Sequence, residues 1–424
     1  MNHVAESAHQ ARLAARQLAA ADIKQRNEAL KLIAQTLLNS RDRIVASNHV
    51  DLERSEREGL GAPLLKRLVF DDSKIKNSVA GIGDLIGLPD PLGRVTLDRA
   101  LDEGLELRRV SCPIGVIGVI FESRPDALVQ IAALCLKSGN SVLLKGGSEA
   151  LETNRELASL IAEAGAEAGL PAGWIQLLET RSDVNDLLAQ DKDVDLLIPR
   201  GSNEFVRYIM DNTRIPVLGH ADGVCHLYID QAADPQMAID LAVDSKTQYV
   251  SVCNATETIL LHESLAESLL HPLAEALRAA GVTIYGDPQV SSLLNCGPVK
   301  DWHTEYLDYK VSLKIVPCLE AAIDHINTYS SGHTDAIVTS DDSAAALFRQ
   351  LVDSGNVFHN ASTRFSDGYR YGFGAEVGIS TSKIHARGPV GLDGLTTYKY
   401  LLEGNGQTVA DYSSGRRCFI HRDL

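Results

Sequence analysis

Cys253 lies in Val252-Cys253-Asn254-Ala255-Thr256-Glu257-Thr258, between Lys246-Thr247-Gln248-Tyr249 and the β-rich run Thr258-Ile259-Leu260-Leu261. This pattern predicts a loop that feeds a buried strand, and a loop thiol held by a rigid scaffold can meet a substrate. Its thiolate would be a nucleophile for covalent catalysis. The competing reading is a small core cysteine, the commoner fate of a free thiol. Two constellations upstream bear on the choice. Lys145-Gly146-Gly147 puts a cation and bare backbone at a strand end, and Gly201-Ser202 puts a flexible amide and a hydroxyl at a helix start, a natural anion site. Taken singly, such glycines are ordinary turn residues. Together, ahead of a candidate thiol, they favour a cofactor site. No Gly-x-Gly-x-x-Gly follows a strand, so the common dinucleotide fingerprint is absent.

The elements that must position these groups are legible in outline. The chain up to Pro89 and Pro91 reads as helices; Leu30, Ile33, Ala34 and Leu37 form one apolar stripe. Alternating residues on either side of Asp102-Glu103-Gly104 predict a β-hairpin that projects from the body. From Ile114 the pattern becomes alternating strand and helix. Residues 116–121 are a continuous apolar run, as in a strand covered on both faces. A helix around 128–136 follows, then a strand at 141–145. Thr153-Asn154-Arg155-Glu156 reads as a capping box opening a helix with Leu157, Leu160, Ile161 and Ala164 on one face. Strands at 174–178 and 194–198 and helices at 183–189 and from Asn203 complete the series. Repeated β-α-β implies a parallel, doubly wound sheet, which binds ligands at the carboxyl ends of its strands.

Composition narrows the function classes. At 424 residues, two or more domains are expected. The net charge of −16 argues against a nucleic-acid partner and would be repelled by anionic membrane surfaces. No apolar run approaches the ~20 residues of a membrane helix. The start, Met1-Asn2-His3-Val4-Ala5-Glu6, lacks the features of a signal peptide, so a cytoplasmic location is expected. The seven scattered cysteines include no Cys-x-x-Cys, which fits a reducing compartment and neither a disulfide frame nor a metal site.

Finer motifs carry a resemblance. Lys145-Gly146-Gly147, the Gly201-Ser202 helix start and a loop cysteine some way downstream resemble the aldehyde dehydrogenase superfamily. Phe121-Glu122-Ser123-Arg124-Pro125, Ile198-Pro199-Arg200-Gly201-Ser202, Gly219-His220-Ala221-Asp222-Gly223-Val224-Cys225-His226 and Gly332-His333-Thr334-Asp335-Ala336-Ile337 are similar to the γ-glutamyl phosphate reductase family. So are Cys253-Asn254-Ala255-Thr256-Glu257-Thr258 and the long Phe373-Gly374-Ala375-Glu376-Val377-Gly378-Ile379-Ser380-Thr381 to His385-Ala386-Arg387-Gly388-Pro389. The wording also resembles the reductase half of pyrroline-5-carboxylate synthases. No kinase half precedes it, so a stand-alone reductase is expected.

The resemblance implies an α/β fold, aldehyde dehydrogenase-like, with two doubly wound parallel-sheet domains and a projecting β-hairpin oligomerisation arm. Residues 1–91 and 114–220 would bind cofactor, 221–387 would carry the nucleophile, and 92–113 and 388–410 would form the arm; the tail 411–424 has no counterpart in the resemblance, and its Ser-Ser-Gly-Arg-Arg composition suggests a mobile end. It implies NADPH-dependent reduction of L-glutamyl 5-phosphate to L-glutamate 5-semialdehyde, a step of proline biosynthesis. Cys253 would be the nucleophile, with Asn254 beside it. The backbone N–H of Cys253 would serve the oxyanion, and Ser123 stands where hydrolytic relatives place a second, Asn donor. Those relatives also carry a water-activating Glu in Glu-Leu-Gly-Gly; here the stretch reads Leu218-Gly219-His220-Ala221-Asp222. That leaves Asp222 as a fallback base and His220 as a packed or phosphate-facing residue. Lys145, Gly146 and Gly147 would lie near the adenosine ribose, Gly201 and Ser202 near the pyrophosphate, and Glu305 at the nicotinamide ribose. Glu149 is the nearest acid to Lys145-Gly146-Gly147, and NADP(H) is favoured over NAD(H). Arg124, His333, Asp335 and Arg387 are candidate substrate contacts. A homodimer or higher homo-oligomer is expected, with glutamate 5-kinase a candidate partner. Two other classes stay open: a hydrolytic NAD-dependent aldehyde dehydrogenase, and a non-catalytic scaffold for that kinase.

Overall fold

The structure, a computed structural model, describes residues 2–122, 124–180, 182–219 and 222–424. Four helices, His3–Leu18, Ile23–Asn39, Arg41–Arg57 and Asp72–Gly87, come first, with a short helix Ala62–Leu68 between the last two. The apolar stripe of the second faces inward: Leu30, Ile33 and Leu37 are buried. The continuous apolar run becomes strand Val116–Ile120, with all five residues buried. It is central in a four-stranded parallel sheet ordered Ile175–Leu178, Ser141–Lys145, Val116–Ile120, Leu196–Pro199. Helices cover both faces, which is why these strands carry almost no polar side chains.

A second, seven-stranded parallel sheet is ordered Gly297–Pro298, Thr283–Gly286, Lys310–Val316, Thr256–His262, Cys225–Ile229, Thr334–Val338, Asn356–His359. Its two faces have their own apolar clusters, one around Leu261 and Leu273, the other around Leu260 and Phe348. Val377, Val390, Leu392 and Leu395 pack back into the core of the first sheet, so the return crossing begins before residue 388.

The capping box at Thr153 is a correction. The helix spans Leu151–Glu167, so Thr153 lies inside its first turn. The N-terminal amides are capped from elsewhere: buried Asp51 accepts from Glu152 N (3.2 Å), Thr153 N (2.8 Å) and Thr153 Oγ1 (2.7 Å). Glu156 instead pairs with Arg43. A carboxylate about a hundred residues upstream meets the need that a local box would have met.

The hairpin forms as Val95–Asp102 and Leu105–Pro113, with Gly104 at φ 68° in the turn. The two expected parts of the arm, 92–113 and 388–410, pair with each other within the chain. Strand Thr396–Glu403 runs antiparallel to Leu105–Pro113, from Thr396↔Pro113 to Glu403↔Glu106. Tyr398, Tyr400 and Leu402 are exposed along that edge. The tail, expected to be mobile, lies on the opposite edge. Arg422 and Asp423 pair with Ala100 and Arg99, Tyr412 Oη donates to Asp102 (2.9 Å), and Tyr412 stacks on Phe419. Composition could not show this, because the open edge selects the tail through backbone groups.

Candidate active site

Strand Thr256–His262 is buried along its whole length, and it anchors the turn that presents Cys253. The thiol is partly exposed. Around it the loop is tied down. Asn254 donates through Nδ2 to Ser366 O (2.7 Å), and Thr363 Oγ1 donates to Asn254 O (2.7 Å). Asn254 therefore holds the loop; its amide protons are turned toward the Ser366 turn. Burial pushes the Cys225 thiol well above its usual pKa, so it stays protonated and donates to Cys253 O at 3.1 Å. Gly223 packs against the nucleophile itself. A Cβ there would sit 2.4 Å from Cys253 Cα. Gly223 stands in a motif of the sequence, but nothing local to it marks this close approach.

Two guanidinium groups lie within electrostatic reach of Cys253. Arg200, at the end of strand Leu196–Pro199, is influenced by burial first and then by Arg124, both lowering its pKa. Arg364, in the turn Thr363–Phe365, is lowered by burial and then by Arg370, and donates through Nε to Gln248 (3.0 Å). Arg124 pairs with Asp126 at 2.8 Å. A cavity of about 310 Å³ is lined by Phe121, Glu122, Arg124, Arg200, Gly201 and Ser251, among others. Clustered arginines suit a phosphate or carboxylate. Arg200 stood in a quoted motif without a role. Arg364 left no local signal, being brought in from beyond the last buried strands. Ser123, His220 and Ala221 lie outside the described residues.

The cofactor candidates converge on the first sheet. Lys145 ends strand Ser141–Lys145, largely buried, with Nζ donating to Gly146 O. Gly146 is closely packed: an added Cβ would meet the buried Asn154 Nδ2 at 2.2 Å and Phe121 at 3.3 Å, whereas at Gly147 it would meet only the movable Glu149 carboxylate. The two nearby helix starts differ. The amides opening Leu151–Glu167 are already occupied by Asp51. Helix Asn203–Asp211, after Gly201-Ser202, has no side-chain cap among the described residues, so its start is the one available to an anion. Glu305 comes to the same place: Asn203 Nδ2 donates to Glu305 Oε2 (2.8 Å) and Asp222 Oδ1 (2.9 Å). Asp222 also pairs with Arg207, so this carboxylate belongs to the helix-start network.

The remaining substrate candidates separate. Asp335, on strand Thr334–Val338, is fully buried and accepts from His226 N (2.7 Å), His226 Nδ1 (3.2 Å), Ser330 Oγ (2.7 Å) and Ser354 Oγ. Both oxygens are thus committed inside the protein, and Asp335 holds the sheet together rather than facing a ligand. His333 is buried beside Thr334 Oγ1 (2.7 Å) and Cys225 Sγ (3.8 Å), behind the nucleophile loop. Arg387 donates to Asp353 O (2.9 Å) and lines a separate cavity with Leu88, Phe373 and Leu392.

Comparison with known proteins gives the family. The model of the aldehyde dehydrogenase family matches residues 1–303. A γ-glutamyl phosphate reductase of Acetivibrio thermocellus is 60% identical over 99% of this chain and 98% of its own. One from Pelotomaculum thermopropionicum is 60% identical over 100% of this chain and 98% of its own. The crystal structure of γ-glutamyl phosphate reductase from Thermotoga maritima superposes with a TM-score of 0.94 at 38% identity, covering 96% of this chain and 100% of that one. Among the described residues no helix is long and apolar enough to cross a membrane.

Proposed function

Because the chain belongs to the aldehyde dehydrogenase family and, within it, to the γ-glutamyl phosphate reductases, we propose that it reduces L-glutamyl 5-phosphate with NADPH through a thioester on Cys253. The observation that carries this reading is the convergence at Cys253: a partly exposed thiol on a pinned loop, two arginines within reach, and a glycine-lined cofactor cradle on the facing sheet. The Cys253 thiolate attacks the acyl carbon, the carbonyl π electrons move to oxygen, and phosphate leaves as the carbonyl reforms. Arg200, Arg364 and Arg124 hold the phosphate and the substrate carboxylate. The N–H of Cys253 stabilises the oxyanion. The nicotinamide cofactor supplies the hydride that reduces the thioester carbon. The resulting hemithioacetal expels the thiolate and releases L-glutamate 5-semialdehyde.

Lys145 supplies the cation for a 2′-phosphate, the start of helix Asn203–Asp211 takes the pyrophosphate, and Glu305 takes the nicotinamide ribose. Asp222 is engaged by Asn203 and Arg207, which supports a site without a water-activating carboxylate. The thioester then waits for hydride, or for phosphate in reverse. Residues 92–113 and 396–403, with their exposed tyrosines, serve assembly of a homo-oligomer. The test is the reverse reaction. Given semialdehyde and NADP⁺ without phosphate, the enzyme should arrest after about one turnover, as expected of covalent catalysis whose second step is blocked. Phosphate should restart it. Steady formation of glutamate in phosphate-free buffer would overturn the reading in favour of a hydrolytic dehydrogenase.

A further inference from the structure

Lys246 lies in the last turn of helix Pro235–Thr247 and Glu257 is the second residue of strand Thr256–His262. Both side chains are fully buried, with Nζ 2.6 Å from Oε2. Stability does not explain such a pair, since removing two charges from water costs as much as their attraction returns, and an apolar pair of similar volume does as well or better. The strain is visible in both partners. Burial pushes Glu257 up to about 7 and pulls Lys246 below its usual value.

The other oxygen of Glu257 has a partner of its own. Oε1 accepts from Leu307 N at 3.2 Å. Leu307 has φ 51°, a left-handed conformation that a bulky side chain adopts only when its surroundings hold it there. Its carbonyl accepts from Ser251 Oγ at 3.4 Å. Ser251 lies two residues before Cys253 and Glu257 four residues after it. One residue of the 299–309 loop is thus gripped at its N–H and its C=O from both sides of the nucleophile. Two residues before Leu307 stands Glu305, whose carboxylate meets Asn203 at the cofactor helix.

We propose that Lys246 and Glu257 are a positioning pair: Glu257 clamps Leu307 and thereby holds Glu305 at a set distance from Cys253, while Lys246 keeps the Glu257 carboxylate in place. This rests on the reading of Glu305 as a cofactor ligand. The clamp couples the cofactor half of the site to the nucleophile half through a single backbone residue. Trp302, edge-on to His325 at 5.0 Å, sits on the same loop and reports its order.

The experiment uses the full chain in a Trp174→Phe background, which leaves Trp302 as the sole tryptophan. Lys246→Met with Glu257→Leu replaces the pair by apolar groups and removes the acceptor. NADPH affinity, followed by titration, should weaken about tenfold, the worth of one positioned hydrogen bond. kcat at saturating cofactor should change less. Trp302 emission should shift to the red and quench more readily with acrylamide. Lys246→Met with Glu257→Gln keeps a carbonyl oxygen for Leu307 N–H and should restore affinity and emission toward the parent; a structural role alone gives no such rescue. Glu305→Gln is the control. If it weakens NADPH while the Met/Leu variant binds as the parent does, the clamp is refuted and the Glu305 reading stands. If Glu305→Gln leaves binding unchanged, both fall. If the Met/Leu variant does not fold, the Met/Gln variant carries the test: loss of binding there, with Trp302 unshifted, overturns the clamp.

Discussion

Gly223→Ala tests how tightly the nucleophile is held. The added methyl would lie 2.4 Å from Cys253 Cα, 2.4 Å from Cys253 O and 2.6 Å from Cys253 Cβ. Carbon–carbon contacts settle near 3.5 Å, so about 1 Å of movement is needed. All three atoms belong to or adjoin the backbone, and the loop is pinned at Asn254 by Ser366 and Thr363, so no flexible side chain can absorb it. Overpacking of this kind costs about 1–3 kcal/mol of stability. For catalysis the displacement matters more: a reacting atom misplaced by about 1 Å loses on the order of 10²-fold in rate. The assay is the phosphate-dependent reverse reaction, run beside an NADPH titration. The titration separates a displaced thiol from a disturbed helix start, because the adjoining Asp222 accepts from Asn203 Nδ2 at 2.9 Å. Gly83→Ala is the companion control: nothing lies within 4 Å of its added Cβ, and it sits exposed in helix Asp72–Gly87. It should keep full activity and gain a little stability. If Gly223→Ala kept most of its kcat, the close approach of these two backbones would not be what positions the thiol.

Cys253→Ser should fold and bind NADPH but retain no more than a few per cent of turnover, because an alkoxide is hard to form near neutral pH; substantial residual activity would make Cys253 structural. Cys135, whose thiol burial pushes up to about 12, should tolerate Ala in the same assay, with any loss confined to stability. His325 is held neutral by burial, then by His226 and Lys314, with its pKa pulled down to about 3. The unfolded chain protonates that imidazole below about 6.5 while the fold refuses the proton. Stability is therefore whole above about 6.5 and falls as the pH drops toward 3, by up to about 1.4 kcal/mol per pH unit. His325→Phe should flatten urea midpoints across that window, and an unchanged pH profile would refute the assignment. Tyr400→Glu with Leu402→Glu should shift the protein to monomer in light scattering at micromolar concentration; a monomeric parent would sink the role given to that edge.

What was legible in the sequence was what depends on neighbours in the chain. The runs at Val116–Ile120 and Ser141–Lys145 had to be buried strands because nothing polar interrupts them, and the loop before Thr256–His262 followed from the strand's own apolarity. The hairpin turn was marked by Gly104. What escaped was set through space. Asp51 caps a helix whose own sequence displays a plausible box. Asp335 looked like a ligand in its motif, yet four donors from His226, Ser330 and Ser354 enclose it. Arg364 comes near Cys253 because the turn after Asn356–His359 packs on the loop before Thr256–His262, where Thr363 Oγ1 donates to Asn254 O. No period or spacing encodes these meetings.

The arm sheet also sets an order of events during synthesis. Its first two strands, Val95–Asp102 and Leu105–Pro113, leave the ribosome early, yet their outer partners are Thr396–Glu403 and Arg422–Asp423. Until those segments emerge, this is a lone hairpin with two unsatisfied edges, a species marginal in water and open to pairing with a neighbouring nascent chain. Asn140 adds to the dependence, because its side chain donates to Leu395 O (2.8 Å) from just before strand Ser141–Lys145. Segments some three hundred residues downstream in synthesis thus seal a strand made early, and a change that delays residues 396–403 or 422–423 would lengthen the time the hairpin waits with bare edges.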